Sequence, residues 1–365
     1  MRKRKKNKNI LPILMLVCIV AVGIYLYANG YFNTTPEPQS TPAPNPITSG
    51  VTVHYIDVGQ GDSILIELPN SRCMLIDAGE KEYGETVANY VKNCGYTAID
   101  FLVITHPHTD HMGGMQYVVE NLVIKKVYMP SATNSTKAFE NMVKAIQAEG
   151  CPVVEAKAGV NILKETDLVI DILAPNGQEY ESLNDFSAVV KLTYGQHKFL
   201  FMGDAETKSE KEITADVSAD FVKVGHHGST TSSGSAFVKA TGAKYAIIQV
   251  GEGNDYNHPK EKIVNRWKDA GATILRTDLD GTIVISTDGT NYHIQTKAGN
   301  ISNSTDNNVS NKSKWILNTS SKKIHCEDCS SVSKIEQDNY AESTATVAEL
   351  VSQGYSACGA CKPTD

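Results

Sequence analysis

Residues 104–114 have the sequence ITHPHTDHMGG, which places three histidines and an aspartate within six positions. The apolar run FLVI before it predicts a buried strand, and HPHTD is typical of a turn at a strand end. Imidazoles and carboxylates are good ligands for divalent zinc, manganese or iron, and they are costly to bury without partners. The stretch therefore predicts a metal-binding loop and disfavours an exposed polar loop. The four residues are His106, His108, Asp110 and His111.

The remainder of residues 51–297 alternates short β-rich runs with amphipathic segments that end at glycine. This rhythm predicts an α/β domain in which two sheets are covered by helices on their outer faces. A nucleotide-binding fold is disfavoured, because neither G-x-G-x-x-G after a strand nor G-x-x-x-x-G-K-[ST] is present.

Six further segments occur in a fixed order around the histidine stretch. They are YIDVGQGDSILIE (55–67), LIDAG (75–79), FLFMGD (199–204), VGHHGS (224–229), NHP (257–259) and RTDLDGTI (276–283). Together with HPHTDHMGG they resemble the metallo-β-lactamase superfamily, and within it the subgroup related to the extracellular domain of the competence protein ComEC/Rec2. The resemblance implies a four-layer αββα fold over 51–297.

The resemblance also implies a site for two divalent cations, zinc or manganese. It assigns His106 and His108 to the first cation, Asp110 and His111 to the second, and Asp204 to a bridge between them. One histidine of the pair His226 and His227 would complete the second site, and the sequence leaves open which one. The other histidine would contact substrate or orient a ligand.

Many members of the superfamily have a further histidine between the first cluster and the bridging aspartate. The segment LNDFSAVVKL (183–192) has none, so the first cation is poorly supplied with protein ligands. Polar candidates to support that region by hydrogen bonds are Asn184, Asp185 and Ser187. His197, in YGQHK, is expected to be an exposed hairpin residue.

Four residues have predicted roles around the cations. Asp110 is expected to orient or deprotonate the attacking water, and His258 to reach the substrate phosphate, unless it only stabilises a turn. Asp57 and Asp77 are expected to hold ligand histidines, with strand-end turn residues as the equal alternative.

These residues predict a hydrolase whose most plausible substrate is a phosphodiester, so that the protein acts as a nuclease on DNA. Removing the six basic residues of 1–9 leaves 28 Lys and Arg against 41 Asp and Glu, a formal charge of −13. A net charge of this sign argues against binding nucleic acid through general electrostatic attraction. Any binding of DNA would therefore depend on metal ions or on a local basic patch. The alternatives are hydrolysis of a small ester, thioester or lactam, and a non-catalytic DNA-binding or uptake accessory module, with DNA-uptake machinery as a possible partner.

The N-terminus combines a basic flank with an uncharged apolar stretch. This pattern predicts a single-pass membrane anchor with a cytoplasmic N-terminus and an extracellular catalytic domain, or a secreted domain if the stretch is cleaved. The predicted segments are the flank (1–9), the anchor (10–28), a Pro/Thr-rich linker (29–50), the hydrolase domain (51–297), an Asn/Ser-rich linker (298–313) and a C-terminal module (314–365).

The C-terminal module is too small for a large core and is expected to need a covalent or metal staple. Its H-x-x-x-C and C-x-x-C spacing resembles the zinc-binding module of the Ada DNA-repair protein, which implies one structural zinc. The implied ligands are His325, Cys329, Cys358 and Cys361, with Cys326 as an alternative; two disulfides are a further alternative.

Overall fold

Two large β-sheets form the centre of the fold. The computed structural model describes residues 50–303, 315–326, 329, 331–343, 347–359 and 361. Within these ranges the first sheet has nine strands, in the spatial order Gly299–Ser302, Tyr292–Thr296, Ile283–Thr287, Val51–Tyr55, Ile64–Leu68, Arg72–Ile76, Phe101–Val103, Val127–Met129 and Val153–Glu155. The second has seven, in the order Thr273–Arg276, Tyr245–Ile248, Phe221–Lys223, His197–Phe201, Val189–Tyr194, Leu168–Ala174 and Asn161–Lys164.

The main hydrophobic core lies between these sheets. Side chains alternate between the two faces of a strand, so Ile64 and Ile66 enter this core while Leu65 packs on the opposite face. The ring of Tyr55, from the first sheet, lies 6.2 Å from that of Phe201, from the second. Burial of each such side chain stabilises the fold by about 1.5–3 kcal/mol.

Helices cover the outer face of each sheet. The longest, Lys137–Glu149, begins after Thr136, whose hydroxyl accepts a hydrogen bond from Phe139 N, and it ends at Gly150 in the left-handed conformation. The other helices of the main domain are Gly84–Asn93, Thr109–Met112, Met115–Asn121, Thr207–Glu212, Ser235–Thr241, Glu261–Asp269 and Thr277–Asp280. The prediction of an α/β fold with two helix-covered sheets is confirmed.

Several parallel strands end at one edge of the two sheets. In the first sheet Arg72–Ile76 runs parallel to Phe101–Val103, and in the second His197–Phe201, Phe221–Lys223 and Tyr245–Ile248 run parallel to one another. The carboxyl ends of parallel strands meet at the same edge, so the loops that follow them converge there. Those loops carry the predicted metal ligands.

The first and last strands of this domain lie in the same sheet. Val51 pairs with Thr287, and the following hairpin brings His293 opposite Ser302. Thr287 in turn pairs with Tyr292, so the start of the first strand and the end of the last are separated by two intervening strands.

The C-terminal residues form a separate small sheet. Its strands, in spatial order, are Tyr340–Ser343, Trp315–Asn318, Lys323–His325 and Ser356–Ala357, with a helix at Val347–Ser352. Four buried side chains make up its core: Trp315, Leu317, Ile324 and Leu350. A core of this size matches the expectation that the module needs a staple.

The membrane localisation derived from the N-terminus requires correction. In the part of the chain that the structure describes, no helix is long and apolar enough to cross a membrane. The predicted anchor, 10–28, lies outside the described residues, as do the basic flank and nearly all of the first linker. The placement of the catalytic domain outside a cell membrane is therefore not retained.

Candidate metal centre

The loop that carries the clustered histidines is held by backbone hydrogen bonds to two neighbouring loops. Asp62 N donates to Asp110 O over 3.1 Å, and Ala78 N donates to His111 O over 2.7 Å. A Cβ on Gly114 would collide with the carbonyl oxygen of Ala78. Glycine at this position lets the loops approach closely enough to fix the ligand-bearing backbone.

Four potential ligand atoms converge at the centre of the site. They belong to Asp110, His111, Asp204 and His227, and all lie within 4.8 Å of one another. Oδ1 of Asp204 is 3.2 Å from His111 Nε2 and 3.5 Å from His227 Nε2. His227 Nε2 is also 3.3 Å from Oδ2 of Asp110.

Three of these atoms are buried without hydrogen-bond partners among the described residues: His111 Nε2, His227 Nε2 and Asp204 Oδ1. Buried polar atoms are normally paired, because an unpaired one costs about 1–3 kcal/mol. Three such atoms facing one point are accounted for by a cation that all of them coordinate. The donor set, two imidazoles and two carboxylates, fits zinc or manganese.

A second group of nitrogens faces the other oxygen of Asp204. Oδ2 lies 3.7 Å from His226 Nε2 and 3.9 Å from His106 Nε2, and the latter is 3.0 Å from His108 Nδ1. These separations from the carboxylate exceed those around Oδ1. The two oxygens of Asp204 thus face two different sets of histidines.

Two of the candidate ligand histidines are oriented through their Nδ1 atoms. His111 Nδ1 is 2.8 Å from Oδ2 of Asp77, and His227 Nδ1 is 2.8 Å from the backbone oxygen of Gln249. Both acceptors require a proton on Nδ1, which leaves the lone pair on Nε2 to face Asp204. Thr105 N and Oγ1 in turn donate to Asp77, over 2.9 and 2.5 Å.

The histidine pair lies in a strained turn. His226 and His227 both have φ of 50°, a left-handed conformation that costs about 1–3 kcal/mol at each non-glycine residue. His226 N donates to Gly203 O, and Ser232 Oγ donates to Gly225 O over 2.7 Å, which hold the turn in place. The conformation sends His227 towards Oδ1 and His226 towards Oδ2 of the same carboxylate.

The cluster is electrostatically coupled. Burial raises the pKa of Asp204, but the neighbouring imidazoles of His227 and His111 outweigh burial and hold that pKa well below its usual range. Burial lowers the pKa of His111, yet Asp204 and Asp110 outweigh it and hold the pKa well above normal. A cation must displace that proton, so metal binding is coupled to proton release.

A fully buried ion pair lies behind the ligands. Lys223 Nζ is 2.5 Å from Oδ2 of Asp62 and donates to Gly203 O over 3.2 Å. The other oxygen of Asp62 is 3.4 Å from His227 Nδ1. Lys223 therefore links the backbone before Asp204 to a carboxylate that contacts a ligand histidine. The sequence patterns did not identify either member of this pair.

Comparison with known proteins is consistent with this geometry. The family model for the metallo-beta-lactamase superfamily matches residues 56–252. The chain belongs to the metallo-beta-lactamase superfamily. Its members bind divalent metals, often as a dinuclear pair, and the fold is that of a metal-dependent hydrolase.

Relatives place the chain in the ComEC/Rec2-like subgroup. ComE operon protein 3 of Bacillus subtilis is 32% identical over 257 residues, which are 65% of this chain and 33% of the relative. Competence protein ComA of Neisseria gonorrhoeae is 28% identical over 62% of this chain and 31% of the relative. Recombination protein 2 of Haemophilus influenzae is 25% identical over 64% of this chain and 28% of the relative. The chain spans about a third of the length of these relatives.

Asn184 and Ser187 lie in the segment 183–192, which lacks the histidine that many members of the superfamily have there. Ser187 Oγ accepts a hydrogen bond from Asp204 N over 3.0 Å and lies 3.4 Å from His106 Nδ1. Asn184 Nδ2 is 3.4 Å from His226 Nδ1 and 3.1 Å from Glu206. Both side chains contact predicted ligands or their backbone.

Other predicted residues have different surroundings. Asp57 accepts a hydrogen bond from Gly59 N, as in the alternative interpretation of a turn residue. His258 packs edge-on to His226, with ring centroids 5.7 Å apart. The prediction that His197 is exposed is wrong: its side chain is buried against the rings of Phe221 and Tyr292.

The C-terminal module contains a second cluster of ligand atoms. His325, Cys329, Cys358 and Cys361 each offer one atom, and these lie within 4.8 Å of one another. In the described residues these cysteines are not joined in disulfides. Cys326 contributes its backbone N–H, which donates to Cys361 Sγ over 3.3 Å.

Separate substitutions of His226 and His227 test whether the two histidines belong to different metal sites, one at each oxygen of Asp204. We expect His227→Ala and His226→Ala each to weaken a different one of two zinc sites by more than about 100-fold, because even hydrogen-bond partners of ligands contribute roughly 10–100-fold. Calorimetric titration with Zn²⁺ measures both sites. Unchanged binding at both sites in His226→Ala would contradict the assignment.

Breaking the buried ion pair should destabilise the domain. Lys223→Met leaves the Asp62 carboxylate buried without its partner, and we expect the free energy of unfolding to fall by about 3–5 kcal/mol. Urea denaturation of the metal-free protein, followed by circular dichroism, gives this value. The double variant Asp62→Asn/Lys223→Met is the matched control and should lose less; an equal or larger loss would show that charge pairing is not the cause.

The C-terminal ligand set can be separated from its alternative by two serine substitutions. We expect Cys361→Ser to lose one bound zinc per chain, because it removes a thiolate of the cluster. Cys326→Ser should keep the zinc, since the backbone N–H that contacts Cys361 survives. Zinc content measured by mass spectrometry checks both, and loss of zinc in Cys326→Ser would favour the all-cysteine set.

Proposed function

We propose that this metal-dependent hydrolase is a phosphodiesterase that cleaves DNA. The observation that carries the proposal is the position of Asp204, whose two oxygens face separate groups of imidazole nitrogens. That arrangement fits a pair of divalent cations, which, when bound, activate water and stabilise charge on an attacked phosphoryl group. A phosphodiester carries the negative oxygens that such a centre attracts.

Asp110 supplies a hydrogen-bond acceptor that orients the attacking water. Burial raises its pKa, but His111 and His227 beside it outweigh burial and hold the pKa below its usual range. The carboxylate is therefore ionised at neutral pH. Its side chain keeps some exposure, in contrast to the fully buried Asp204, so it can accept a hydrogen bond from the attacking water and orient it.

His258 supplies a neutral hydrogen-bond donor. Burial, together with the nearby His226, lowers its pKa to about 4, so the imidazole is uncharged at neutral pH. It lies beside His226 at the side of the centre. From there its N–H can donate to a phosphate oxygen and orient the scissile group.

The relatives favour DNA over small esters. One is a ComE operon protein, one is a competence protein and one is a recombination protein. We therefore include DNA-uptake machinery as a partner class. The C-terminal module, stapled by zinc, would help to position the substrate.

Two other functions fit parts of the site. The same residues could hydrolyse a small ester, thioester or lactam, since these reactions also need an activated water. A non-catalytic DNA-binding accessory would need neither the convergence of Asp110, His111, Asp204 and His227 nor their unpaired buried atoms. That convergence favours catalysis.

A screen of metals against substrates tests the proposal. The purified chain, loaded with Zn²⁺ or Mn²⁺, is assayed on single- and double-stranded DNA, a chromogenic β-lactam and a thioester. We expect DNA cleavage, lowered roughly 1,000-fold or more in Asp204→Asn, because several kcal/mol of charge stabilisation are lost at about 1.4 kcal/mol per tenfold.

Asp216→Asn is the matched control, because Asp216 is an exposed carboxylate paired with Lys191 and Lys198. Its cleavage rate should equal that of the unsubstituted chain. Cleavage of only the lactam or thioester would replace the phosphodiesterase by the second candidate. Binding of DNA without cleavage under either metal would favour the accessory function.

A further inference from the structure

The loop of residues 251–260, which follows the strand Tyr245–Ile248 of the second sheet, leads from the metal centre to the surface. The side chain of Asn254 joins the two ends of this loop by hydrogen bonds. Its Nδ2 donates to Gly251 O over 2.9 Å and to His258 O over 2.7 Å, and its Oδ1 accepts from His258 N over 3.0 Å. Lys260 N donates to Gly228 O, which ties the loop to the histidine turn. The loop is thus pre-organised on the metal centre.

Three aromatic rings follow one another along this loop. Tyr256 stacks on His258, with centroids 5.8 Å apart and planes inclined by 22°. His258 packs edge-on to His226, whose Nε2 is 3.7 Å from Asp204. The Tyr256 side chain is 62% exposed. Two rings, those of His258 and His226, therefore separate the exposed ring of Tyr256 from the carboxylate of Asp204.

A cation contacts the backbone of the same tyrosine. Lys260 Nζ donates to the backbone oxygen of Tyr256 over 2.7 Å. Among the described residues, no carboxylate lies within 4.0 Å of this nitrogen, so its charge is available to an external anion. In a chain of net charge −7, such a local cation is the kind of contact that phosphate binding requires.

We propose that Tyr256, His258 and Lys260 form a nucleotide subsite that takes one unstacked base on the Tyr256 ring and the adjoining phosphate on Lys260. The proposal rests on the DNA phosphodiesterase function and narrows it to single-stranded DNA. A base inside a duplex has both faces covered by its neighbours, whereas a single strand can offer a free face to an aromatic ring.

Equilibrium binding tests the subsite without relying on turnover. A fluorescent single-stranded phosphorothioate oligonucleotide is titrated with the zinc-loaded full chain and followed by anisotropy. We expect Tyr256→Ala and Lys260→Gln each to weaken binding about tenfold, within the range measured for base–aromatic stacking and phosphate contacts. Tyr256→Phe, which keeps the ring, should bind like the unsubstituted chain.

Lys239→Gln is the control for charge, because it removes a positive charge from an exposed position on an outer helix, Ser235–Thr241. Its binding should not change. A duplex of the same sequence should bind more weakly than the single strand. Thermal unfolding of each variant verifies that the substitutions leave the domain folded.

Oligonucleotides with one abasic position, moved along the strand, identify the stacked base. In the unsubstituted chain one abasic position should weaken binding about tenfold, and in Tyr256→Ala that position should have no further effect. Binding by Tyr256→Ala equal to that of the unsubstituted chain, or no binding of single strands at all, overturns the subsite. Tyr256-dependent binding without cleavage of natural DNA retains the subsite and rejects the phosphodiesterase.

Discussion

The carboxylate of Asp204 lies between two groups of imidazole nitrogens, and the geometry of both groups is defined relative to it. Its backbone follows the strand His197–Phe201, and its N–H is held by Ser187 Oγ. The carbonyl of the preceding residue, Gly203, accepts hydrogen bonds from His226 N and from Lys223 Nζ. One short segment thus aligns the shared carboxylate, the histidine turn and the buried lysine, so a small shift there would alter both halves of the site.

The two halves differ in how tightly they are arranged. Around Oδ1, the nitrogens are close and are oriented by Asp77 and by the backbone of Gln249. Around Oδ2, the nitrogens are farther from the carboxylate, and His226 is contacted through Thr231 and Glu206 near the surface. Only one of these histidines is open to solvent: His111, His227 and His106 are buried, whereas 22% of the His226 side chain is exposed.

The loop of residues 106–111 could be predicted as a metal site from the sequence, because its histidines and aspartate are clustered directly after an apolar strand. Asp204 and the pair His226 and His227 are assigned to the same site by the resemblance to the superfamily. The roles of His226 and His227 could not be separated, because adjacent residues are distinguished only by the left-handed turn that directs them apart. The Asp62–Lys223 pair joins distant segments and has no local pattern. The turn-like neighbours of His197 predict an exposed side chain, but packing against Phe221 and Tyr292 buries it.

The strand pairing at the start and end of the main domain also bears on how such a domain is carried in longer chains. Val51 and Ser302 lie at the same end of one sheet, three strand spacings or about 15 Å apart. The metal centre lies at the opposite end of that sheet. Entry and exit of the polypeptide are therefore adjacent and remote from the chemistry. A unit of this kind can be joined to other segments at either end without reshaping its site, and the relatives that match it are about three times as long as the matching region.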